Sequence, residues 1–554
     1  MIAATFDRIA ISYAAEPVFT DLSWEVHDDR IVGLVGPNGC GKSTMLKAIA
    51  GEVDASRGTI ALRSDLTVGY LPQSVEFDEE IRVFAAVRAG AARLITVEEQ
   101  LAQVEAQLAD PAVYQEPAAL ERVLHEQEEL LETYDRLGGP GLEARVREIL
   151  HGLGFDDDDF ERPVHVLSGG QRKLVGLAAQ AINRPRLLLL DEPDNHLDLD
   201  GKEHLERFLR NYAGGVVLVS HDRYLLDLVV DEIHELEAGV LRRFPGNYSE
   251  YAVEKEHQRA LHEHRYADQQ KEIARLEQSA KRLMTWGAAY DNVKFIKRGQ
   301  AILKRIERME KIERPHTERR MHLRLGGWRG SSKVLEIDGL TKSFRTDPDG
   351  EKTVLRDLDV LVRHGERVGL VGANGSGKSV LFRLILGQEE PSAGEIVLGP
   401  SITTGYYAQE HETLDLNRSL VDVLRYGAQI SETRAVQTLQ RFAFGYEQSR
   451  RPAGDLSGGE RSRLQLALIM LSGANFLLLD EPTNNLDIAS AEILEDALDE
   501  FEGSVLVISH DRYFLDRVVD RIVELDEGSL TSFVCSYSEY ARRTGRAAGE
   551  EAAP

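Results

Sequence analysis

Gly36-Pro37-Asn38-Gly39-Cys40-Gly41-Lys42-Ser43-Thr44 lies between an apolar run, Ile31–Val35, and a stretch that reads as helix, Ser43–Ala50. A strand feeding a glycine-rich turn that opens a helix is the setting in which such a loop grips phosphate. Its glycines let backbone N–H groups face the oxygens, Lys42 brings a positive charge, and the Ser43 hydroxyl can ligate Mg²⁺. The stretch returns as Gly372-Ala373-Asn374-Gly375-Ser376-Gly377-Lys378-Ser379-Val380, again after an apolar run, Val368–Val371. Two matches, each in the required context, predict two P-loop domains of α/β class.

The repeat extends beyond the loops. Leu167-Ser168-Gly169-Gly170-Gln171 recurs as Leu456-Ser457-Gly458-Gly459-Glu460, and the leucine run ending in Asp191-Glu192-Pro193 recurs before Asp480-Glu481-Pro482. Asp191 and Asp480 are expected at the exits of buried strands, where a carboxylate can hold Mg²⁺ through water. Glu192 and Glu481 are the candidate general bases for an attacking water. His221 and His510 also end apolar strands, at identical offsets from the acids, and are placed to donate to a γ-phosphate. Ser168, Gly169 and Gly170 precede a predicted helix whose start, with its free N–H groups and positive dipole end, suits an anion. The phosphate loop of the same half already serves that purpose. A second anion-binding helix start makes sense when it faces the nucleotide of the other half.

The loops and the pair Gln73/Gln409 are offset by 336 positions, whereas the later motifs are offset by 289, so 47 extra residues lie between Gln73 and Ser168. This insertion reads as a helical hairpin, with Leu101, Val104 and Leu108 spaced for one face of its first helix and Leu120, Leu124, Leu131 and Tyr134 giving a similar stripe on its second. Pro111 to Pro117 supplies the turn, and Gly138-Gly139-Pro140 ends the second helix. A plain surface hairpin and a functional arm both fit this pattern.

A second stretch, between the halves, has no counterpart after Tyr540. Ala252 to Trp286 contains neither Pro nor Gly, enough for a helix roughly 50 Å long. Ile273, Leu276, Ala280 and Leu283 form a narrow seam, answered by Ile302, Ile306 and Met309 on a return helix that Pro315 stops. From Lys281 to Arg329 there are fourteen Lys and Arg against five Asp and Glu. Lys294, Lys297 and Arg298 interleaved with Trp286, Tyr290 and Phe295 suit nucleic-acid backbone contact with base or sugar stacking. The competing reading is an amphipathic linker whose aromatics pack between its own helices.

The bulk numbers narrow the classes. The chain has 554 residues, a net charge of −27 and 42% hydrophobic content. That charge favours solubility and argues against nucleic-acid binding over the whole surface, though not against a local basic patch. No apolar run approaches the ~18 residues of a membrane helix. Cys40 and Cys535 make neither a disulfide framework nor a zinc spacing. The N-terminal residues show no basic region followed by an apolar core, so no secretion signal is expected and the cytoplasm is the natural location.

These motifs resemble the ATP-binding cassette ATPases, in which two cassettes pack head to tail and sandwich two ATPs. The resemblance implies that Lys42, Ser43, Gln73, Asp191, Glu192 and His221 join Ser457 and Gly459 in one site. Lys378, Ser379, Gln409, Asp480, Glu481 and His510 would join Ser168 and Gly170 in the other. It adds Tyr13 and Phe344 as adenine-stacking aromatics, Gln73 and Gln409 as further Mg²⁺ ligands, and Asp198 and Asp487 as the loop that signals between sites. Because both sites keep the acids and the histidine, both are expected to hydrolyse ATP.

Tandem cassettes, an insertion in the first only and a charged helical linker together resemble the ABC-F family. The implied architecture is a first cassette at 1–251 with an arm at about 85–140, a linker at 252–330 similar to the P-site tRNA interaction motif, a second cassette at 331–541 and a short disordered tail at 542–554. The implied partner is the ribosome, through rRNA and P-site tRNA, with the protein a monomer holding an intramolecular cassette pair. Two departures stand out: Asp194 where the family usually has Thr, and Asn485 where it usually has His. An exporter's ATPase subunit and a DNA-maintenance ATPase are the alternatives. The first has no evident use for a basic linker, and the second would be expected to bring zinc ligands or a long coiled coil. The resemblance leaves open whether such a protein tunes elongation or protects against an antibiotic.

Overall fold

The computed structural model describes every residue except 14–15, 79, 291, 310–311, 313–330, 347–349, 409–413, 443, 457, 485 and 546–554. Gln409, Ser457, Asn485, Pro315 and most of the expected tail therefore lie outside the described residues. The chain divides into two compact units, Met1–Asn247 with Arg320–Pro554, and Tyr248–Arg319.

The first unit holds two copies of one α/β design. In the first copy a six-stranded sheet runs in the order Val68–Leu71, Leu187–Asp191, Gly215–Val219, Ile31–Val35, Glu232–Glu237, Val240–Pro245. The first five strands are parallel and the last is antiparallel. Its central strands are covered on both faces, which is why they read as unbroken apolar runs. On one face the helix Lys42–Ala50 buries Met45, Leu46 and Ile49 between this sheet and a three-stranded antiparallel sheet contributing Phe6, Ile9 and Trp24. The helix Gly169–Ala181 buries Leu174, Val175, Leu177 and Ala178. The second copy repeats the order with Thr404–Tyr407, Phe476–Asp480, Ser504–Ile508, Arg367–Val371, Arg521–Asp526 and Ser529–Phe533. In each copy the phosphate loop, the acids and the histidine follow the carboxyl ends of neighbouring parallel strands, where open α/β sheets place their ligands.

The insertion forms helices Ala92–Leu108 and Pro117–Arg136, joined by the short helix Pro111–Tyr114, which Asp110 caps by accepting the N–H of Ala112 at 2.9 Å. The expected stripe on its second helix is corrected. Leu124 and Leu131 are exposed, while Val123 is buried. The inward face runs Leu120, Val123, Leu130 and Tyr134; at about 100° per residue, Val123 and Leu130 turn to one side of Leu120, and Leu124 and Leu131 to the other.

The second unit is a helical hairpin. Its first helix, Tyr248–Ala289, has 42 residues, so it spans about 63 Å. The return helix is Val293–Arg308, capped by the Asn292 side chain. Ala280 and Ile306 are buried in the seam. A Cβ on Gly299 would lie 2.6 Å from Met284 Cγ and 3.0 Å from the Ala280 carbonyl oxygen, so the two backbones approach closely there. Trp286 and Tyr290 are not part of that seam: they are 48% and 77% exposed, which removes them from the reading in which the aromatics fill the space between the helices. Lys294, Lys297 and Arg298 are exposed as well, while Phe295 is half-buried.

Within the first unit the copies are joined by two buried ion pairs related by the repeat. Arg223 pairs with Glu495 and Arg512 with Glu206. Each guanidinium also stacks on a tyrosine of the opposite copy, Arg223 over Tyr513 and Arg512 over Tyr224, both at 4.2 Å. All four charged residues are at most 2% exposed. Removing one partner of such a pair leaves a buried charge unmatched, at a cost of about 3–5 kcal/mol. Glu495→Ala is expected to destabilise the cassette pair by about that amount, read from denaturant unfolding, and a loss below about 1 kcal/mol would contradict this account.

Candidate active sites between the cassettes

Each phosphate loop is held by its own lysine. Lys42 Nζ donates to the carbonyl oxygens of Gly36 at 2.7 Å and Pro37 at 3.1 Å, and Lys378 Nζ does the same to Gly372 at 2.7 Å and Ala373 at 2.9 Å. Gly36 and Gly372 must be glycine, because a Cβ at either would lie 2.3 Å from the backbone carbonyl oxygen of Leu236 or Leu525. Gly39 and Gly375 instead face open space, at φ of about 80°, so the loop leaves room for a ligand against its backbone.

The Ser43 hydroxyl acts on Asp191, and that of Ser379 on Asp480, in each case favouring the ionised carboxylate. Burial pushes both carboxyls up from their ordinary values, and Asp191 Oδ1 is buried without a hydrogen-bond partner. Among the described residues no group of three or more His, Cys, Asp or Glu makes a self-sufficient metal cage. A hydroxyl beside a buried carboxylate is the sparse protein share typical of Mg²⁺ that completes its shell with phosphate and water, so the residues fit that ion.

Glu192 and Glu481 adopt left-handed backbone conformations, with φ of 51° and 48°. Such conformations are uncommon outside glycine and cluster at functional sites. Each is pinned by its N–H to the next strand, Glu192 to the Val219 carbonyl at 2.8 Å and Glu481 to that of Ile508 at 2.9 Å. His221 Nε2 lies 3.6 Å from Glu192 Oε1, and His510 Nε2 lies 3.5 Å from Glu481 Oε1. Gln73 Nε2 donates to Glu192 Oε2 at 2.8 Å and Asn195 Nδ2 to the same oxygen at 2.6 Å. Burial pushes Glu192 up, but His221 and Gln73 outweigh it, and the carboxyl sits below its ordinary value. Glu481 is pushed the other way, to about 8, by burial and by Asp480 beside it.

Ser168 caps the helix Gly169–Ala181 through a reciprocal pair, its Oγ accepting the Gln171 N–H while Gln171 Oε1 accepts the Ser168 N–H, both at 3.1 Å. Ser168 and Gly169 then line a cavity of about 850 Å³ with Gly375, Gly377, Lys378, Ser379, Asp480, Glu481 and His510. The helix tip of the first cassette thus shares one wall system with the phosphate loop of the second. Gly170 packs behind, where a Cβ would lie 2.5 Å from the His196 carbonyl oxygen. At the other site Gly458 and Gly459 begin the helix Gly458–Leu471.

Asp198 and Asp487 hold the two loops in this relation. Asp198 Oδ1 accepts the Gly201 N–H at 3.0 Å, capping its own helix, and Oδ2 accepts the Asn374 N–H of the opposite phosphate loop at 3.0 Å. Asp487 does the same with Ser490 at 2.9 Å and Asn38 at 3.1 Å.

Tyr13 closes the strand Ile2–Tyr13. Phe344 is 38% exposed with Lys342 Nζ 5.0 Å from its ring, and it does not belong to the cavity wall. Val354 does belong to it. A Cβ on Gly377 would meet Val354 at 2.8 Å, as one on Gly41 would meet Val18 at 2.5 Å. Sequence reading missed this valine pair, although its spacing repeats that of the loops. It also missed Asn195 and Lys173, whose Nζ donates to the Glu192 carbonyl at 2.6 Å.

A family model described as ABC transporter matches residues 19–195 and 355–484, and a second of that description matches 234–325. The energy-dependent translational throttle protein EttA of Escherichia coli strain K12 is 36% identical over 94% of this chain and 92% of its own length. ABC transporter F family member 5 of Arabidopsis thaliana is 32% identical over 97% of this chain and 77% of its own. The archaeal ribosome recycling factor aABCE1, solved with the stalk protein aP1, superposes with a TM-score of 0.60 at 19% identity, over 97% of this chain and 92% of that one, a likeness of fold. Two phosphate loops, each clasped by the opposite cassette, and these matches across almost the whole length identify the chain as a member of the ATP-binding cassette family, a tandem-cassette ATPase of its ABC-F branch.

Proposed function

We propose that this ATPase is a ribosome-associated factor that works as an ATP-gated clamp. The observation that carries the reading is the reciprocal clasp of Asp198 on Asn374 and Asp487 on Asn38, which gives each nucleotide two owners. A γ-phosphate contacted by both cassettes favours the closed pair by its differential contacts, and hydrolysis removes that preference. In this scheme Lys42 and Lys378 hold the phosphates, and Glu192 and Glu481 take the proton of the attacking water. His221 and His510 donate to the γ-phosphate. Ser43, Asp191, Ser379 and Asp480, with Gln73 and Gln409, would hold Mg²⁺, which neutralises the charge that develops on the phosphate oxygens when bound.

The closed form enters the ribosomal E site, and the basic linker reaches P-site tRNA and rRNA, modulating translation or protecting it from an antibiotic. Support comes from the relative named as a translational throttle. It comes also from the exposed Trp286 and Tyr290 beside Lys294, Lys297 and Arg298, a combination that suits stacking and phosphate contact. No described helix is long and apolar enough to cross a membrane, and the proposed place of action is the cytoplasm.

Glu192→Gln with Glu481→Gln is expected to keep ATP binding and to lower steady-state hydrolysis at least ~100-fold; near-normal turnover would refute the assigned bases. Chelation of divalent ions is expected to abolish turnover and added Mg²⁺ to restore it, and turnover that persists in excess chelator would refute the metal assignment. Sedimentation of the double variant with ribosomes is expected to require ATP and to weaken as salt rises. Reversal of charge at Lys294, Lys297 and Arg298 is expected to weaken it further. Unchanged co-sedimentation after that reversal would remove the linker from the proposal.

A further inference from the structure

The two cassettes differ at a pair of positions that the fold brings together. Asp194 and Lys202 of the first correspond, at the common offset, to Thr483 and Ala491 of the second. Lys202 lies on the helix Leu199–Arg210 and is 8% exposed. Its Nζ donates to Asp222 Oδ2 at 2.7 Å and, across the cassette boundary, to the backbone carbonyl oxygen of His510 at 2.8 Å. Asp222 in turn caps the helix Arg223–Val229 by accepting the N–H groups of Tyr224 and Leu225, each at 3.0 Å. Asp194 is buried beside them, its carboxyl pushed up by burial and by Asp222.

Burying an ammonium costs several kcal/mol before any partner is found. The second cassette builds the same turn and helix with Thr483 and Ala491, so the fold itself does not require the charged pair. The ammonium is spent instead on a residue of the opposite cassette. His510 is then held at both its backbone groups, its carbonyl by Lys202 and its N–H by Glu481 Oε2 at 3.3 Å. Asp194, Lys202 and Asp222 all line the cavity that contains Lys378, Glu481 and His510.

We propose that Lys202 is a positioning residue for the ATP site built on Lys378 and Glu481: it fixes the backbone of His510 from the other cassette, whereas the site built on Lys42 and Glu192 has only Ala491 at the matching position. The two sites are therefore unequal, and hydrolysis at the Glu481 site depends on a contact that exists only when the cassettes are closed. The inference rests on the reading of Glu192 and Glu481 as the bases.

The test compares two full-length parents, Glu192→Gln, in which the Glu481 site hydrolyses, and Glu481→Gln, in which the Glu192 site does. Into each goes Asp194→Thr with Lys202→Ala, the pair the second cassette already folds with. A charge-assisted hydrogen bond lost from the reacting state corresponds to about tenfold in rate. The expected result is a kcat about tenfold lower in the Glu192→Gln parent, with the KM for ATP changed by less than about threefold, and a clearly smaller loss in the Glu481→Gln parent. Equal losses in both parents, a change confined to KM, or no loss in either overturns the proposal. Parents that themselves turn over at the native rate fault the assignment of the bases, which is read before Lys202 is changed.

Discussion

Each of two aspartates serves two masters. One oxygen of Asp198 closes the end of its own helix, and the other accepts an amide from the phosphate loop of the opposite cassette. Asp487 reverses the direction. A carboxylate accepts through both oxygens when ionised, so a single short side chain can lock a local turn to a distant loop. The buried arginine–glutamate pairs and their stacked tyrosines join the same two cassettes. With this relation in place, the helix tip at Ser168 and Gly169 borders the cavity that holds Lys378. In the proposed clamp, neither half would contain a complete phosphate site without it.

Much of this was legible in the chain because the constraints are local. The phosphate loops declare themselves because only glycine fits at Gly36 and Gly372, and because parallel strands covered on both faces must be apolar throughout. The long linker helix followed from the absence of helix breakers, and its seam from steps of three and four residues. Where local pattern underdetermined the outcome, the reading drifted: Leu124 and Leu131 matched an apolar repeat but face solvent, because Val123 fixes which side of that helix is covered. Asn195, Lys173 and Val354 were missed because their roles depend on which strands become neighbours. A side chain that bonds a glutamate or walls a cavity carries no mark in its own stretch of sequence.

The repeat is close but not complete, and the differences fall where they alter charge. Glu192 sits in a bonded shell that favours its ionised form, whereas Glu481 is pushed up by burial and by Asp480. Lys202 crosses to His510, and Ala491 offers no such reach in return. A duplicated framework thus carries two sites with unlike electrostatic surroundings, although the backbone around each is nearly the same.

The tether between each strained glutamate and its neighbouring strand has a mechanical meaning. The N–H of Glu192 is fastened to the Val219 carbonyl and that of Glu481 to the Ile508 carbonyl, in each case two residues ahead of the histidine. Acid and imidazole consequently ride on one rigid plank. In the proposed clamp, parting the cassettes would take away the borrowed helix tip and leave the plank intact, so each cycle would rearm by simple re-docking, with no local refolding between turnovers.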